Sequence, residues 1–298
     1  MLHFLLFTFI CLAWGISFLL MKYATISFGA LSISCYRVLA GGSLLFLLWY
    51  LRPKAGRQLH FKRDFIGLTL IAFLGNALPF FLQPYLIGII KNSGFIGMMV
   101  AFVPLLTMIS SVFMLKHRPS RLEIGGVGGG LLLLTVILYE SLQFNFPLFV
   151  LVLALVTPLS YALTNTYIKK KYSTVCPTAL SCFTLLYAGL MLLPLCLTED
   201  ISSEHEKFNL ALTSLLVLGI VSTGLAIVAF YYLIKERGPL FASMVTYIIP
   251  LEAVLLGWWL ENEQISFLQI LCLFGVIILV AITNLYPVKR KQALKVES

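Results

Sequence analysis

The chain repeats a set of residues at a fixed distance, and this repeat constrains the fold more than any other feature. Ser34-Cys35-Tyr36 recurs as Ser181-Cys182-Phe183, which lies 147 residues later. Tyr85-Leu86-Ile87 recurs at the same distance as Tyr232-Leu233-Ile234. The chain is therefore expected to contain two copies of one structural unit.

The composition places both copies in a membrane. Of the 298 residues, 60% are hydrophobic and 11% are charged, whereas a soluble domain carries about 25% charged residues. The chain is apolar from Leu2 onward, without the basic region and small-residue cleavage site of a signal peptide. We therefore expect an integral membrane protein with a retained first span.

Ten stretches have the length of about 20 apolar residues that a helix needs to cross the hydrocarbon. Helices are expected because backbone polar groups must be satisfied within the membrane. The predicted spans are 3–23, 29–51, 65–88, 93–115, 120–139, 146–168, 177–197, 210–233, 239–260 and 266–286. Five spans per copy is an odd number, so the copies have opposite orientations. The predicted fold is all-α, with ten transmembrane helices in two inverted five-helix repeats at 1–141 and 146–287. A basic cytoplasmic tail follows at 288–298.

Lysine and arginine residues concentrate in alternate loops, which predicts the orientation. With a cytoplasmic N-terminus, cytoplasmic segments hold 17 of the 21 such residues, and the C-terminus is also cytoplasmic. These are Arg52, Lys54, Arg57, Lys62, Arg63, Lys116, Arg118, Arg121, Lys169, Lys170, Lys171, Lys235, Arg237, Lys289, Arg290, Lys291 and Lys295. The opposite side holds only Lys22, Lys91 and Lys207. This bias explains the net charge of +9, and no nucleic-acid partner is expected.

Several segments resemble the EamA type of the drug/metabolite transporter superfamily. The similar segments are LAWGISFLLMKYA (12–24), SCYRVLAGG (34–42), AFVPLLTMISSVFML (101–115), LEIGGVGGGLLLL (122–134), YIIPLEAVLLGWWLENEQIS (247–266) and LQILCLFGVIILV (268–280). The resemblance implies alternating-access transport of small metabolites across a bacterial inner membrane, often as export. It also implies amino acids as cargo, or nucleoside-type compounds such as S-adenosylmethionine.

The expected function is secondary transport of a small metabolite, an amino acid or a related amine or aromatic compound. A nucleoside-type cargo is the alternative within this class, and an integral membrane enzyme is the alternative from another class. No Walker-type motif is present, so ATP-driven transport is not indicated. No CxxC or Cys/His spacing predicts a metal or a cofactor. The sequence leaves monomer and homodimer open.

Two charged residues fall inside predicted spans, where charge is unfavourable and commonly functional. Glu252 in span 9 is a candidate for proton coupling or for contact with a cargo amine, and the alternative is a carboxylate held by neighbouring helices. Arg37 in span 2 is a candidate for pairing with Glu252 as a gate, for binding a cargo carboxylate, or for packing and snorkelling.

Polar and aromatic residues near mid-span predict a substrate cavity, because buried amides and hydroxyls need partners. Interhelical hydrogen bonds are the alternative use of these groups. The candidates are Trp14, Ser17, Asn76, Gln83, Tyr161, Asn165, Tyr231 and Tyr247.

Prolines inside the spans predict hinges, because proline removes a backbone hydrogen bond and kinks a helix. Pro104 and Pro250 are repeat partners, 146 residues apart after the loss of one loop residue, and Pro79 lies in span 3. We expect these three residues to allow the helices to rock around a central cavity.

Overall fold

The computed structural model describes residues 1–51, 59–90, 93–141, 147–261 and 267–285. In the first half, span 1 is Leu2–Ala24, span 2 is Ala30–Leu51 and span 5 is Arg121–Ser141. Span 3 consists of three consecutive segments, Phe61–Ala72, Phe73–Ala77 and Leu78–Ile90. Span 4 likewise consists of Ser93–Met99, Val100–Phe102 and Val103–Leu115. In the second half, span 6 is Leu148–Tyr172, span 7 is Pro177–Cys196 and span 10 is Phe267–Leu285. Span 8 consists of Phe208–Val217, Leu218–Leu225 and Ala226–Arg237. Span 9 consists of Pro239–Ser243, Met244–Tyr247 and Ile249–Glu261. The predicted basic tail at 288–298 lies outside the described residues, as do Arg52, Lys54, Arg57 and Lys91.

The prediction of an all-helical, multi-span membrane fold is confirmed. Within the described residues, seven helices are long and apolar enough to cross a membrane. Two shorter apolar helices, Pro239–Glu252 and Ile270–Thr283, lie in spans 9 and 10. The 21-residue helix of span 5 completes the predicted set of ten.

Spans 3, 4, 8 and 9 depart from α-helical geometry at repeat-related places. Span 3 contains a π-helical turn at Phe73–Ala77, and its partner span 8 contains one at Leu218–Leu225. Span 4 contains a 3₁₀ turn at Val100–Phe102, and its partner span 9 contains one at Met244–Tyr247. Such turns commonly mark functional sites within helices, and all four lie at mid-span.

One end of the bundle, called the basic end here, carries the starts of spans 1, 3 and 9 and the ends of spans 6 and 8. The His3 ring stacks on Tyr232 at 6.0 Å between ring centroids, which brings the start of span 1 to the end of span 8. The Tyr172 hydroxyl donates to the Asp64 carbonyl at 3.5 Å, which brings the end of span 6 to the start of span 3. Gly238 joins spans 8 and 9 with a φ of 96°, a conformation that favours glycine. Spans 1 and 3 therefore start at the end where their repeat partners finish, so the repeats are inverted.

The opposite end, called the far end here, is held together by the loop after span 7. The Glu199 carboxylate accepts hydrogen bonds from the backbone N–H groups of Leu31 (3.0 Å) and Ser32 (2.7 Å), which cap the start of span 2. An anionic cap satisfies otherwise unpaired amides and complements the helix dipole. The backbone N–H of Ser202 donates to the Ser27 carbonyl at 3.0 Å. The first half of the chain is thus tied to the second at this end.

The contact between spans 2 and 7 is itself symmetric under the repeat. Leu39 packs into the notch that Gly189 leaves in span 7. Its repeat partner Leu186 packs into the notch at Gly42, the repeat partner of Gly189. This reciprocal exchange places a local two-fold axis between the two spans, as expected for inverted repeats.

Candidate functional site

A cavity lies between the two repeats, at the level of the irregular turns. Its empty volume is about 630 Å³, including the space at its opening. The lining residues are Trp14, Ser17, Phe18, Arg37, Gly75, Phe80, Gln83, Val100, Val103, Tyr161, Thr164, Asn165, Ile227, Phe230, Tyr231, Thr246 and Ile249.

Six of the eight cavity residues predicted from the sequence lie on this lining, namely Trp14, Ser17, Gln83, Tyr161, Asn165 and Tyr231. Arg37, predicted as a gating residue, also lines the cavity. Contact of any of these residues with cargo stays a prediction.

The π-helical turn of span 8 positions two cavity side chains from the first repeat. The Trp14 indole N–H donates to the Ser222 carbonyl at 3.0 Å. The Arg37 Nε group donates to the Thr223 hydroxyl at 3.0 Å. Ser222 and Thr223 both belong to the turn, so the irregular helix geometry of one repeat orients the side chains of the other.

Arg37 is 2% exposed, and its described contacts are not anionic. Its guanidinium carbon lies 4.0 Å from the centre of the Phe80 ring, a cation–π distance. One terminal nitrogen lies 3.5 Å from the Met21 sulfur, which is a weak acceptor. Within the part of the chain that the structure describes, the guanidinium is therefore held at the cavity wall without a countercharge.

The aromatic part of the wall is formed by side chains from both repeats. The Trp14 and Phe230 ring centroids are 4.8 Å apart, with the planes tilted by 51°. The Gln83 amide donates to the Tyr161 hydroxyl at 3.2 Å. These contacts join span 1 to span 8 and span 3 to span 6, which are equivalent pairs under the repeat.

Two polar groups of span 6 on the cavity lining have no hydrogen-bond partner. The side-chain nitrogen of Asn165 is buried and unpaired, as is the Thr164 hydroxyl. An unpaired buried polar group is destabilising by about 1–3 kcal/mol. The Thr164 methyl group also packs against the backbone at Gly75, within the π-helical turn of span 3.

Two predicted cavity residues are used elsewhere. The Tyr247 hydroxyl donates to the Val127 carbonyl of span 5 at 2.7 Å, and its ring packs on Gly130. The Asn76 amide donates to the Ile71 carbonyl at 3.2 Å, within its own span. Tyr247 therefore takes part in helix packing, whereas the Asn76 side-chain oxygen is buried without a hydrogen-bond partner among the described residues.

Glu252 lies at the contact between spans 9 and 1, apart from the cavity lining. Its carboxylate packs directly against the backbone of Gly15, so any side chain at position 15 would overlap it. Pairing of Arg37 with Glu252 was one of the uses considered from the sequence, and the described contacts of Arg37 do not include Glu252. Glu252 is partly buried, and its role in coupling stays a prediction.

The three predicted hinge prolines occupy equivalent local positions. Each is the second residue of an α-helical segment that follows an irregular turn. Pro79 follows the π-helical turn of span 3, and Pro104 and Pro250 follow the 3₁₀ turns of spans 4 and 9. Proline has no N–H to donate, so the first turn of a helix is where it fits best.

Apolar side chains pack on both sides of the cavity, toward the two ends of the bundle. The far-end gate consists of Phe18, Met21, Phe28, Leu86, Ile87, Phe95, Ile96 and Met99. The repeat maps these residues, in the same order, onto the basic-end gate, which consists of Asn165, Ile168, Val175, Leu233, Ile234, Phe241, Ala242 and Val245. All sixteen residues are buried, and the word gate names these two groups of residues for the role proposed for them below.

The two gates differ in packing. In four pairs the far-end residue is larger than its partner: Phe18 and Asn165, Phe28 and Val175, Ile96 and Ala242, Met99 and Val245. The other four pairs are identical or similar in size. At these four positions the basic-end residue therefore has the smaller side chain, and one of the four, Asn165, is polar.

The ten spans and their inverted arrangement define the protein as a multi-span membrane protein. The sequence profile of the EamA-like transporter family matches residues 1–139 and 148–285. The chain belongs to the EamA-like transporter family, and the resemblance found in the sequence is confirmed.

Relatives with transporter names match over most of their length. The uncharacterized transporter YoaV of Bacillus subtilis (strain 168) is 26% identical over 262 residues, 86% of this chain and 88% of the relative. The uncharacterized inner membrane transporter YedA of Escherichia coli (strain K12) is 27% identical over 288 residues, 93% and 90% of the two chains. A solved crystal structure at 16% identity superposes with a TM-score of 0.70, covering 94% of this chain and 96% of the other, and it supports the fold alone.

Several lining residues were not predicted from the sequence. Gly75, Phe80 and Thr164 lie within one turn of predicted residues, and Thr246 directly precedes Tyr247. Their chemistry alone does not distinguish them from ordinary membrane-helix residues. The repeat offered a partial signal, because it relates Thr246 to Val100 and both line the cavity.

Proposed function

We propose that this EamA-family protein is a secondary transporter that moves a small metabolite by alternating access between the repeats at 1–141 and 146–287. The observation that carries the proposal is the central cavity, whose buried polar groups lie between two gates related by the repeat. Inverted repeats support two similar conformations, each with one gate open. The protein therefore moves its cargo without changing it chemically.

The irregular turns and the hinge prolines supply the places where the helices bend. Pro79, Pro104 and Pro250 each begin an α-helical segment beside the cavity. A change of angle at these positions moves one half of a span relative to the other. The cavity wall stays near its place, while the gate side chains separate at one end.

The cargo is proposed to be an amino acid or a related amine or aromatic compound. The Trp14 and Phe230 rings, with Tyr161 and Tyr231, provide flat apolar surfaces. Gln83, Asn165 and Thr164 provide hydrogen-bonding groups. A nucleoside-type metabolite such as S-adenosylmethionine is the second candidate, because aromatic rings also stack on a purine.

The basic end is proposed to face the cytoplasm of a bacterial inner membrane, with both termini on that side. The described helix ends and loops at this end include Lys116, Arg118, Lys169 to Lys171, Lys235 and Arg237, which agrees with the positive-inside rule. The gate with the smaller side chains at four of its eight positions then faces the cytoplasm. This favours the state that loads cargo from inside and suits export, although the concentration gradients determine the direction of net flux.

Glu252 is proposed to couple proton movement to this cycle. Its carboxylate lies against Gly15, where span 9 meets span 1, and both spans contribute to the cavity wall. Protonation would remove the charge from this contact. A change in the packing of spans 1 and 9 would follow, without direct contact between Glu252 and the cargo.

The test is counterflow in proteoliposomes that contain the purified full chain. Labelled amino acids, nucleosides and S-adenosylmethionine are offered with and without a pH gradient, and mass spectrometry checks that the cargo emerges unchanged. Trp14→Ala should reduce the flux at least tenfold. The matched control is Trp259→Ala, because Trp259 is 71% exposed on the surface of the bundle. Equal flux in both variants, or chemical conversion of the cargo, would contradict transport through the cavity.

A further inference from the structure

Arg37 is the one charged side chain on the described cavity lining. Its guanidinium carries five N–H donors and cannot lose its charge under ordinary conditions. The described hydrogen bonds occupy two groups, Nε with Thr223 and one terminal nitrogen with Met21. Because the Met21 sulfur is a weak acceptor, the guanidinium retains strong donors and its full charge at the cavity.

The acidic residues that could have neutralised Arg37 have other positions. Asp64 accepts from the His60 backbone N–H at 3.1 Å, at the start of span 3. Glu123 accepts from the Ser120 backbone N–H at 2.7 Å, at the start of span 5. Glu199 caps span 2, and Glu252 packs against Gly15. Among the described residues, no carboxylate contacts Arg37.

A buried charge without a partner is strongly unfavourable, and in a membrane span it commonly marks a ligand site. We propose that Arg37 binds a carboxylate group of the transported metabolite. The proposal rests on the transport function given above and narrows its cargo to compounds with a free carboxylate. Amines that lack a carboxylate are excluded, although they belong to the broader class of expected cargo.

The surroundings of Arg37 suit carboxylate binding in two ways. The Phe80 ring contacts the face of the guanidinium, and Thr223 accepts a hydrogen bond from Nε, so the planar group is held in a fixed position. A guanidinium held in this way can bind a carboxylate through two parallel hydrogen bonds. The remaining lining lacks a negative charge. A cationic amine would therefore meet an uncompensated like charge, whereas a carboxylate would neutralise it.

The other polar groups of the wall would contact the remainder of the cargo. The unpaired Thr164 hydroxyl can accept a hydrogen bond from an ammonium group, and the unpaired Asn165 nitrogen can donate one. An amino acid has groups for all three contacts. A simple carboxylate has the group for Arg37 and is expected to bind more weakly, but still to bind.

The experiment measures binding of the 20 standard L-amino acids, and of the amide of each, to the purified full chain. An amide keeps the amino group and the side chain but removes the negative charge. We expect at least one amino acid to raise the melting temperature and to bind at least tenfold more tightly than its amide. The difference should disappear in Arg37→Gln and should be reduced in Arg37→Lys, which keeps the charge but loses the two-bond geometry.

Melting without cargo separates this role from a structural one. Arg37→Gln removes an unneutralised buried charge, so the melting temperature should stay the same or rise. If Arg37 only held helices together, the temperature would fall and the preference for acids over amides would persist. Arg63→Gln is the control, because Arg63 is an exposed arginine at the start of span 3.

Other results overturn the carboxylate proposal. These are equal binding of acid and amide, unchanged preference in Arg37→Gln, and binding of none of the amino acids. The carboxylate proposal would also be overturned if the proteoliposomes transported an amine but no amino acid. That result would still support the proposed transport function. Absence of flux for every compound offered would instead count against the proposed function.

Discussion

The far-end gate offers a direct test of the idea that the two gates set the conformational balance. Ile96 is 3% exposed and belongs to this gate, and its partner in the basic-end gate is Ala242. Replacement of Ile96 by alanine removes three carbon atoms from the closed gate and makes the pair equal. When the gate opens, residue 96 becomes exposed to water, so the wild-type isoleucine favours the closed gate.

The magnitude follows from the apolar surface involved. Burial of one methylene group contributes about 0.8 kcal/mol, so three carbon atoms contribute about 2.4 kcal/mol. A difference of about 1.4 kcal/mol changes an equilibrium constant tenfold. Ile96→Ala should therefore increase the population with the far-end gate open by up to about 50-fold.

The assay is labelling of Ser17→Cys, on the cavity lining, by a membrane-impermeant maleimide added from the far-end side. Cys176 is replaced by serine, because it is the described cysteine that is not buried. The labelling rate should rise strongly with Ile96→Ala. It should not rise with Ile109→Ala, because Ile109 in the same span is 44% exposed and faces lipid in both states. Equal rates in the two variants would refute the gate argument.

Three further predictions address packing and coupling. Gly41→Ala should lower the melting temperature, because the added Cβ would lie 2.7 Å from a carbonyl oxygen in the π-helical turn of span 8. Such overpacking commonly destabilises a protein by about 1–3 kcal/mol. The control is Gly88→Ala, which should leave the melting temperature unchanged because the space around Gly88 is open. Glu252→Gln should abolish the response of flux to a pH gradient while cargo affinity stays constant, and a retained response in proteoliposomes would exclude the coupling role. Tyr247→Phe should destabilise the protein by about 0.5–1.5 kcal/mol in thermal melts, through loss of the hydrogen bond to Val127, and should leave the acid-to-amide preference intact.

The membrane fold could be predicted from the sequence because its determinants are local. A stretch of about 20 apolar residues is sufficient to predict a span, and the repeat of residues 34–36 at 181–183 is visible without coordinates. Mid-span position also identified Trp14, Gln83 and Tyr161 as residues that lie on the cavity lining.

The position of a residue along its span does not reveal which way its side chain points. Asn76 and Tyr247 are at the correct depth, but one bonds within its own span and the other reaches span 5. Sequence position left open, for the same reason, whether Arg37 and Glu252 are in contact. Their depths in the membrane are compatible, whereas helix packing directs Arg37 to the cavity and Glu252 to Gly15.

The sequence by itself determined that this chain crosses a membrane, that its halves are inverted copies, and which family it resembles. These three conclusions depend on the hydrophobicity of segments, on the charge of the loops and on the order of residues along the chain. All three properties can be read from the sequence without knowing how the helices pack. Only the tertiary structure decided that π-helical and 3₁₀ turns surround the cavity, that no described carboxylate contacts Arg37, and which residues of the two gates are buried. These properties depend on which side chains meet across different spans, and that is determined by the packing of the helices together.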